Sequence, residues 1–233
     1  MVVRAFLFAL LAAQLPAQPI RPRDPAPGRL LIAKRDLSDP NFAETVVFLL
    51  DYSRKGALGL ILNRPTNISV ARVFRDLPSA QARSDKVFSG GPVEPSSLRA
   101  LQRSATRLEG ARAVIDEVYV VSESAQIDKA FRQGVPPEEL RFFAGYAGWA
   151  PAQLDREIEL GAWLLTDADA DLVFHAKPES LWKLLIRRSE SRFARLKSAP
   201  CGVLPRSTEF YGCFSATPWP CTRQCWSIDP SPP

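Results

Sequence analysis

The chain has 233 residues, 46% apolar and 24% charged, with 30 Lys and Arg against 25 Asp and Glu for a formal charge of +5. These proportions describe an ordinary globular chain and not a disordered one, and no run of 18 or more apolar residues exists to make a spanning helix. With one histidine, His175, a site built on two or more imidazoles is excluded. The charge is uneven: residues 1 to 35 carry six basic and one acidic residue, 36 to 176 carry 15 and 20, and 177 to 233 carry nine and four.

Residues 1–17 have the layout of a signal peptide: Arg4, an apolar run from Ala5 to Ala13, then Gln14-Leu15-Pro16-Ala17, with cleavage expected after Ala17. Leu15 is larger than the residue usual three positions before a cut, and a disordered N-terminus or a mis-assigned start are the alternatives. Residues 18–27 hold four prolines and read as a tether, because proline removes donors and keeps its predecessor extended.

The domain expected over residues 28–197 opens with a strand at Leu30-Leu31-Ile32-Ala33 and a turn at Ser38-Asp39-Pro40-Asn41. Thr45 to Leu50 and Ala57 to Leu62 are continuous apolar runs joined by Asp51 to Gly56. They predict a hairpin central in a sheet covered on both faces. Val70, Val73, Phe74 and Leu77 have the spacing of one helical face. Val87-Phe88 leads into a sharp turn at Ser89-Gly90-Gly91-Pro92. A strand is expected over Val114 to Val121, a helix over Ser124 to Gln133 ended by Gly134, and a helix over Pro151 to Leu160 with Pro in its first turn. Trp163-Leu164-Leu165 and Leu172-Val173-Phe174 read as strands. A last helix, Glu179 to Leu196, gathers Trp182, Leu185, Ile186, Phe193 and Leu196 within an arc of about 100 degrees, with Lys183, Arg187, Arg188, Arg192 and Arg195 opposite. The pattern is α+β (mixed α/β) in a single domain. Residues 198–233 form an irregular tail with seven prolines and all four cysteines.

Several chemistries can be weighed from these residues. Cys201, Cys213, Cys221 and Cys225 are even in number and give up to two disulfides if the chain is exported. Their spacings lack the close pairs of a zinc site, and incidental thiols are the alternative. Asp167, Asp169 and Asp171 alternate as in a calcium loop, but Leu172 and Pro178 stand where glycine and an acid are needed, so a solvated connection is expected. No cysteine lies between residues 18 and 200, and no nucleophile elbow or phosphate loop occurs. His175 reads as a structural imidazole at a strand end. No catalytic residue, metal set or cofactor is expected. The basic face of the last helix is the one candidate for a polyanion. A solvated face is the alternative, and the acidic middle of the chain opposes a polyanion lying across it.

One ordered set of segments spans Gly28 to about Arg188. It runs through Gly28-Arg29-Leu30-Leu31-Ile32-Ala33, Asp39-Pro40-Asn41-Phe42, Gly56 to Leu62 with Asn63-Arg64-Pro65, and Gly90-Gly91-Pro92-Val93. It continues with Gly145-Tyr146-Ala147-Gly148-Trp149, Gln153-Leu154-Asp155, Gly161-Ala162-Trp163 and Asp171 to Phe174. Together these resemble the AlgH/YqgE family of bacterial proteins. The resemblance implies a single compact domain with a mixed, partly barrel-like sheet surrounded by helices. Family members carry a transcriptional-regulator label and have no accepted catalytic residues. They usually lack an export signal and a Pro- and Cys-rich tail, and the segment Glu94 to Leu98 departs from their pattern.

The motif residues have a reading of their own. Pro65 holds Arg64 extended, so Asn63 and Arg64 emerge at the sheet's edge; Gly90 and Gly91 leave amides uncovered; Tyr146 and Trp149 line a wall with Gln153 beyond. If the three groups converge they make a small anion or peptide pocket, and otherwise they are turn and packing determinants. The function expected is a non-enzymatic regulatory or binding protein with an unknown protein or small ligand as partner. An exported binding domain with a disulfide-stapled tail is the alternative. Localisation is accordingly exported or periplasmic from the N-terminus, or cytoplasmic as is usual for the family.

Overall fold

Ten strands, β1 (Arg29–Ala33), β2 (Val46–Ser53), β3 (Gly56–Ile61), β4 (Pro65–Ser69), β5 (Lys86–Ser89), β6 (Val93–Arg103), β7 (Arg112–Ile115), β8 (Val118–Val121), β9 (Leu140–Trp149) and β10 (Trp163–Asp167), carry the described chain. Five helices accompany them: α1 (Val70–Val73), α2 (Ser124–Arg132), α3 (Gln153–Glu159), α4 (Ala170–Val173) and α5 (Pro178–Ser198). The structure, a computed structural model, describes residues 24 to 198, with side chains as far as Ser191. The signal-peptide reading, most of the tether, the four cysteines and the side chains of Arg192 and Arg195 lie outside the described residues.

The two apolar runs form the β2–β3 hairpin at the centre of the sheet, as their two-sided hydrophobicity requires. Their register runs from Val47 opposite Ile61 to Ser53 opposite Gly56 across the turn Arg54-Lys55, with a bulge between Leu49 and Asp51. The main path is β10-β1-β2-β3-β9-β6-β8-β7. β5 pairs with β4 and runs parallel to β9 at Phe88–Phe143, so the sheet is mixed. It also curls. At Gly28 an added Cβ would stand 2.5 Å from Ile115 Cγ2, and Arg112 Nη1 donates to the Leu50 carbonyl at 3.0 Å. The β7 edge thus returns to the ends of β1 and β2, making a partly closed barrel whose seam is held by side chains, β7 laddering with β8 alone.

β9 is the wall between two cores. Phe143, Ala147 and Trp149 face the larger one with β1, β2, β3 and Leu181, Trp182, Leu185 and Ile186 of α5. Leu140 and Phe142, with Ala144 beside them, face the smaller one under α1 and α2, with Val70, Ile127 and Phe131. The indole of Trp182 donates to the Ala33 carbonyl at 2.7 Å, tying α5 to β1. No described helix is long and apolar enough to cross a membrane.

Five elements differ from the sequence expectation. Val114 to Val121 is two strands, because Asp116-Glu117 turns the chain, with Glu117 at φ 64. The helix from Val70 ends after Val73, where Phe74 leaves helical geometry at φ −101, ψ 41, and it does not resume before Pro78, whose predecessor Leu77 is extended at φ −104, ψ 108. α3 starts at Gln153, after Ala152 takes a left-handed φ of 57. Leu172 to Phe174 lies in and after the one-turn helix α4, where the Asp169 carboxylate accepts from Leu172 N at 2.7 Å as an N-cap. β6 was not legible because Glu94-Pro95-Ser96-Ser97 sits in a register shift between Val93 and Leu98.

Candidate functional site

The chain after β3 places Asn63 and Arg64 against the turn Pro40–Glu44. Arg64 donates to the carbonyls of Asn41 at 2.6 Å and of Pro40 and Ala43 at 3.1 Å each. Asn63 accepts from Val46 N and donates to the Glu44 carbonyl, both at 2.9 Å. Two of the singled-out segments are therefore one latch. Partial burial pulls the Arg64 guanidinium below its ordinary value, and the charge of Asp39 opposes that. Both side chains also line a cleft of about 290 Å³ with Glu44, Glu179, Trp182 and Lys183.

Gly90 and Gly91 are buried and do not line that cleft. The Gly90 amide is covered, donating to Ala144 O at 2.8 Å, while its carbonyl accepts from Ile61 N at 2.9 Å. The pair is a crossing where β3, β5 and β9 meet, which corrects the expectation of uncovered amides at Gly90. The three groups do not converge on one pocket.

Trp149 is buried, and its indole donates to Glu157 Oε2 at 2.9 Å. Trp163 donates to the same oxygen at 2.9 Å, and Gln153 Nε2 donates to Oε1 at 2.9 Å. Phe42 stacks on Trp149 at 5.8 Å and meets Trp163 edge-on at 5.7 Å, so the Pro40–Glu44 turn carries its ring into this cluster. Trp149 and Gln153 are thus chiefly parts of the fold. Beside them Tyr52 donates to Asp155 Oδ1 at 2.6 Å. Burial, then that hydrogen bond, pushes the Tyr52 phenol up to about 12. A phenol raised in the folded state adds stability that is fully present below its ordinary value near 10 and is lost as pH rises towards 12. Replacing Tyr52 with Phe is expected to flatten the alkaline fall in stability over that window, read from urea midpoints at pH 9 to 12. A tyrosinate absorbance titration should lose its latest step in the same variant. An unchanged alkaline slope would contradict the assignment.

An open surface remains on the other face of the same strands. Register puts Asp51, Leu58 and Gly148 in one row, and Val93 opposite Tyr146 in the next. The reverse face carries the row Tyr52, Ala57 and Trp149 under α3. α1 and α2 cover β9 at Leu140 to Ala144 and stop short of Tyr146. The result is a cleft of about 390 Å³ lined by Asp51, Leu58, Val93, Tyr146 and Gly148 with Ser53, Lys55 and Gly56; Ala57 and Trp149 also border it, so Tyr146 and Trp149 do share one wall, as the sequence expectation had them. Gly148 is bare beneath the Tyr146 ring, where a Cβ would stand 3.1 Å from Cε2. Arg99 lies 4.4 Å over the ring, and the Tyr146 hydroxyl reaches Glu94 Oε1 at 3.4 Å. Glu94 has a left-handed φ of 46. Asp51, Lys55, Leu58, Val93, Glu94 and Arg99 are not among the candidate site residues of the sequence, although Leu58 and Val93 fall inside its motif segments and Glu94 opens the divergent one. The signal lay in strand alternation, which needs the register before it can be read.

On α5, Lys183, Arg187 and Arg188 are exposed, as expected. Exposed Glu179 and Glu190 flank them, Glu190 pairing with Arg35 at 2.7 Å. Asp167 pairs with Arg29 and Asp171 with Arg103, so the alternating acids are a solvated, ion-paired connection. His175 follows α4, not a strand, and its Nδ1 contacts Lys177 N at 3.1 Å. Its carbonyl and that of Val173 accept from buried Arg141 at 2.7 and 3.2 Å. Burial lowers Arg141 to about 10, the charges of Glu138 and Glu179 opposing.

The AlgH-like family (DUF179) matches residues 30–194. The chain is 36% identical over 180 residues to the UPF0301 protein SCO2948 of Streptomyces coelicolor, covering 74% of this chain and 91% of that one. To the UPF0301 protein CT0663 of Chlorobaculum tepidum it is 31% identical over 175 residues, covering 75% and 92%. Among solved structures it resembles the AlgH protein of Pseudomonas aeruginosa with a TM-score of 0.60 and 26% identity, covering 82% of this chain and 100% of that one. It resembles protein DIP2367 of Corynebacterium diphtheriae with a TM-score of 0.61 over 72% and 90% of the two chains.

Proposed function

The chain belongs to the AlgH-like family, and from that premise we propose that it is a non-enzymatic regulatory protein that works by binding a protein partner on the open face around Tyr146. The observation that carries this reading is the uncovered end of β9: a face roofed by helices at Leu140 to Ala144 is left open at Tyr146 and Gly148. Half-buried Leu58, Val93 and Tyr146 there keep apolar surface towards solvent. The polar side chains nearest the motif positions are already engaged, Asn63 and Arg64 by the Pro40–Glu44 turn, Gln153 and Glu157 by the indoles. That commitment favours recognition by surface shape over chemistry on a bound small molecule.

The test is genetic. Deleting the gene in the native organism is expected to change the transcript profile, and the wild-type gene to restore it. Leu58→Asp, which puts a charge on the cleft floor, is expected to fail to restore it while accumulating to the wild-type level. A variant with Lys183, Arg187 and Arg188 all changed to Glu is expected to restore it in full. An unchanged profile on deletion, or full rescue by Leu58→Asp, overturns the reading. Rescue by Leu58→Asp with failure of the α5 variant would move the binding face to the basic helix.

A further inference from the structure

Apart from the Tyr146 cleft, and independently of it, we infer that the outer edge of β10 docks an extended, basic segment of another protein, which joins the sheet as a further strand. Three strands end the sheet: β4, β7 and β10. An edge strand presents unpaired N–H and C=O groups, and proteins blunt such edges with proline, bulges or a covering segment. β4 begins with Pro65, its pairing shifts between Pro65 and Ser69, and its Ile68 N–H is taken by Thr66 Oγ1 at 3.1 Å. β7 has a register shift between Ala113 and Ile115, and Gly28 closes on it. β10 has none of these devices. Its ladder with β1 runs without a shift from Trp163 opposite Ala33 to Asp167 opposite Arg29, and it contains no proline.

The bonding pattern identifies the open groups. Lys34 N–H donates to the Ala162 carbonyl at 3.0 Å, and Ala168 N–H to the Gly28 carbonyl at 3.2 Å. Antiparallel partners exchange bonds at alternate residues, so Leu164 and Thr166 bond inward to β1 while Trp163, Leu165 and Asp167 turn their N–H and C=O outward. Trp163 is buried, its indole tied to Glu157 of α3. Leu165 is half-buried and Asp167 exposed, and no backbone bond among the described residues reaches either from the outer side. Two donors and two acceptors therefore stand in line, Leu165 and Asp167 about 7 Å apart, with half-buried Leu164 and Thr166 beside them to meet apolar side chains. An extended backbone matches that repeat with its own donors and acceptors. Charge sets the partner's sign. Asp167, Asp169 and Asp171 are exposed at alternate residues, and the side chains of Asp167 and Asp171 stay 86% and 84% exposed although each pairs with an arginine. Lysine or arginine in the incoming strand complements them. The chain's own tether is a poor occupant, because Pro19, Pro22 and Pro25 each lack a donor.

The probe is a blocked hexapeptide, Lys-Val-Thr-Val-Thr-Lys, N-methylated at both valines so that it bonds along one edge and cannot stack on itself. Amide hydrogen exchange in the full chain under reductant, followed by NMR, reads the outcome. In the free chain the Leu164 and Thr166 amides are expected to exchange slowly and the Leu165 and Asp167 amides fast. The peptide is expected to bind with a Kd of roughly 0.1 to 1 mM. At about ten times that concentration it should slow Leu165 and Asp167 about tenfold. Methylating both threonines as well leaves no bonding edge and is expected to weaken binding by about tenfold or more. Glutamate in place of both lysines is expected to weaken it by about fivefold or more at low salt. Leu165→Pro removes an outward N–H and no inward one, and is expected to abolish binding; the fully methylated peptide decides the matter if that variant does not fold. Equal binding of the two methylated peptides, or protection that falls elsewhere, overturns the inference. Equal binding of the lysine and glutamate peptides overturns the basic partner. Leu165 and Asp167 amides already slow in the free chain overturn it too, because the edge then has an occupant, the tether or a second copy. The Tyr146 cleft stands or falls separately, on rescue by Leu58→Asp.

Discussion

Gly91→Ala is expected to abolish the native fold. A Cβ at this position would stand 2.2 Å from Tyr146 C and 2.3 Å from Ala147 N, both backbone atoms of the wall strand β9, and φ at Gly91 is 151. No side-chain rotation relieves a contact with backbone, so either β9 moves or the crossing opens. Moving β9 disturbs both cores, and the expected loss is about 4 kcal/mol or more, read as absent or strongly reduced cooperativity in urea unfolding followed by far-ultraviolet dichroism. Gly134→Ala is the comparison. There φ is 69 with nothing within 4 Å of the added methyl, so the left-handed conformation alone is disturbed, at about 1 kcal/mol. If Gly91→Ala unfolds at a urea concentration close to that of Gly134→Ala, the close approach of Gly91 to β9 is wrong.

The second large effect is expected at Glu157. Replacing it with Ala takes the acceptor away from two indole N–H groups, on Trp149 and Trp163, that are 5% and 3% exposed. An unsatisfied buried donor costs about 1 to 3 kcal/mol, so the two together are expected to destabilise the fold by roughly 2 to 5 kcal/mol. Tryptophan emission should shift to the red as water reaches the indoles. Glu157→Gln retains one oxygen able to accept from both and is expected to lose about 1 kcal/mol; the disturbed contact is with Gln153 Nε2, which would then face another amide. Equal losses in the two variants would mean that helix propensity and packing, and not the indole bonds, give Glu157 its importance.

The fold was legible wherever a segment's own hydrophobicity dictated its place. Val46 to Leu50 and Leu60 to Leu62 are apolar on both faces and lie buried at the centre of the sheet. Trp182, Leu185 and Ile186 share one arc of a helix and are buried together. Short elements were not legible, because three apolar residues carry no period: Leu172 to Phe174 suits a strand or a turn of helix, and the side chain of Asp169 decides it. Glu117 reverses the chain inside what reads as a single strand, a left-handed residue with no Gly to announce it.

The candidate site divides along the same line. Asn63, Arg64, Gly90 and Gly91 stand out in the sequence because the backbone needs them, and in the structure they serve the backbone. Tyr146 was visible as an aromatic among small residues. Its neighbours Leu58 and Val93 come from other strands, and pairing alone brings them beside it.

β9 gives one face to each core, and that has a consequence for how the domain melts. A partly unfolded form that loses the Phe142 side while keeping the Phe143 side would need half a strand, since both side chains hang from the same ladder with β6. The two cores therefore share one fate. Among the described residues no internal fault line runs along which α1 and α2 could detach as a separate folding unit, and heat or denaturant is expected to melt the two cores together.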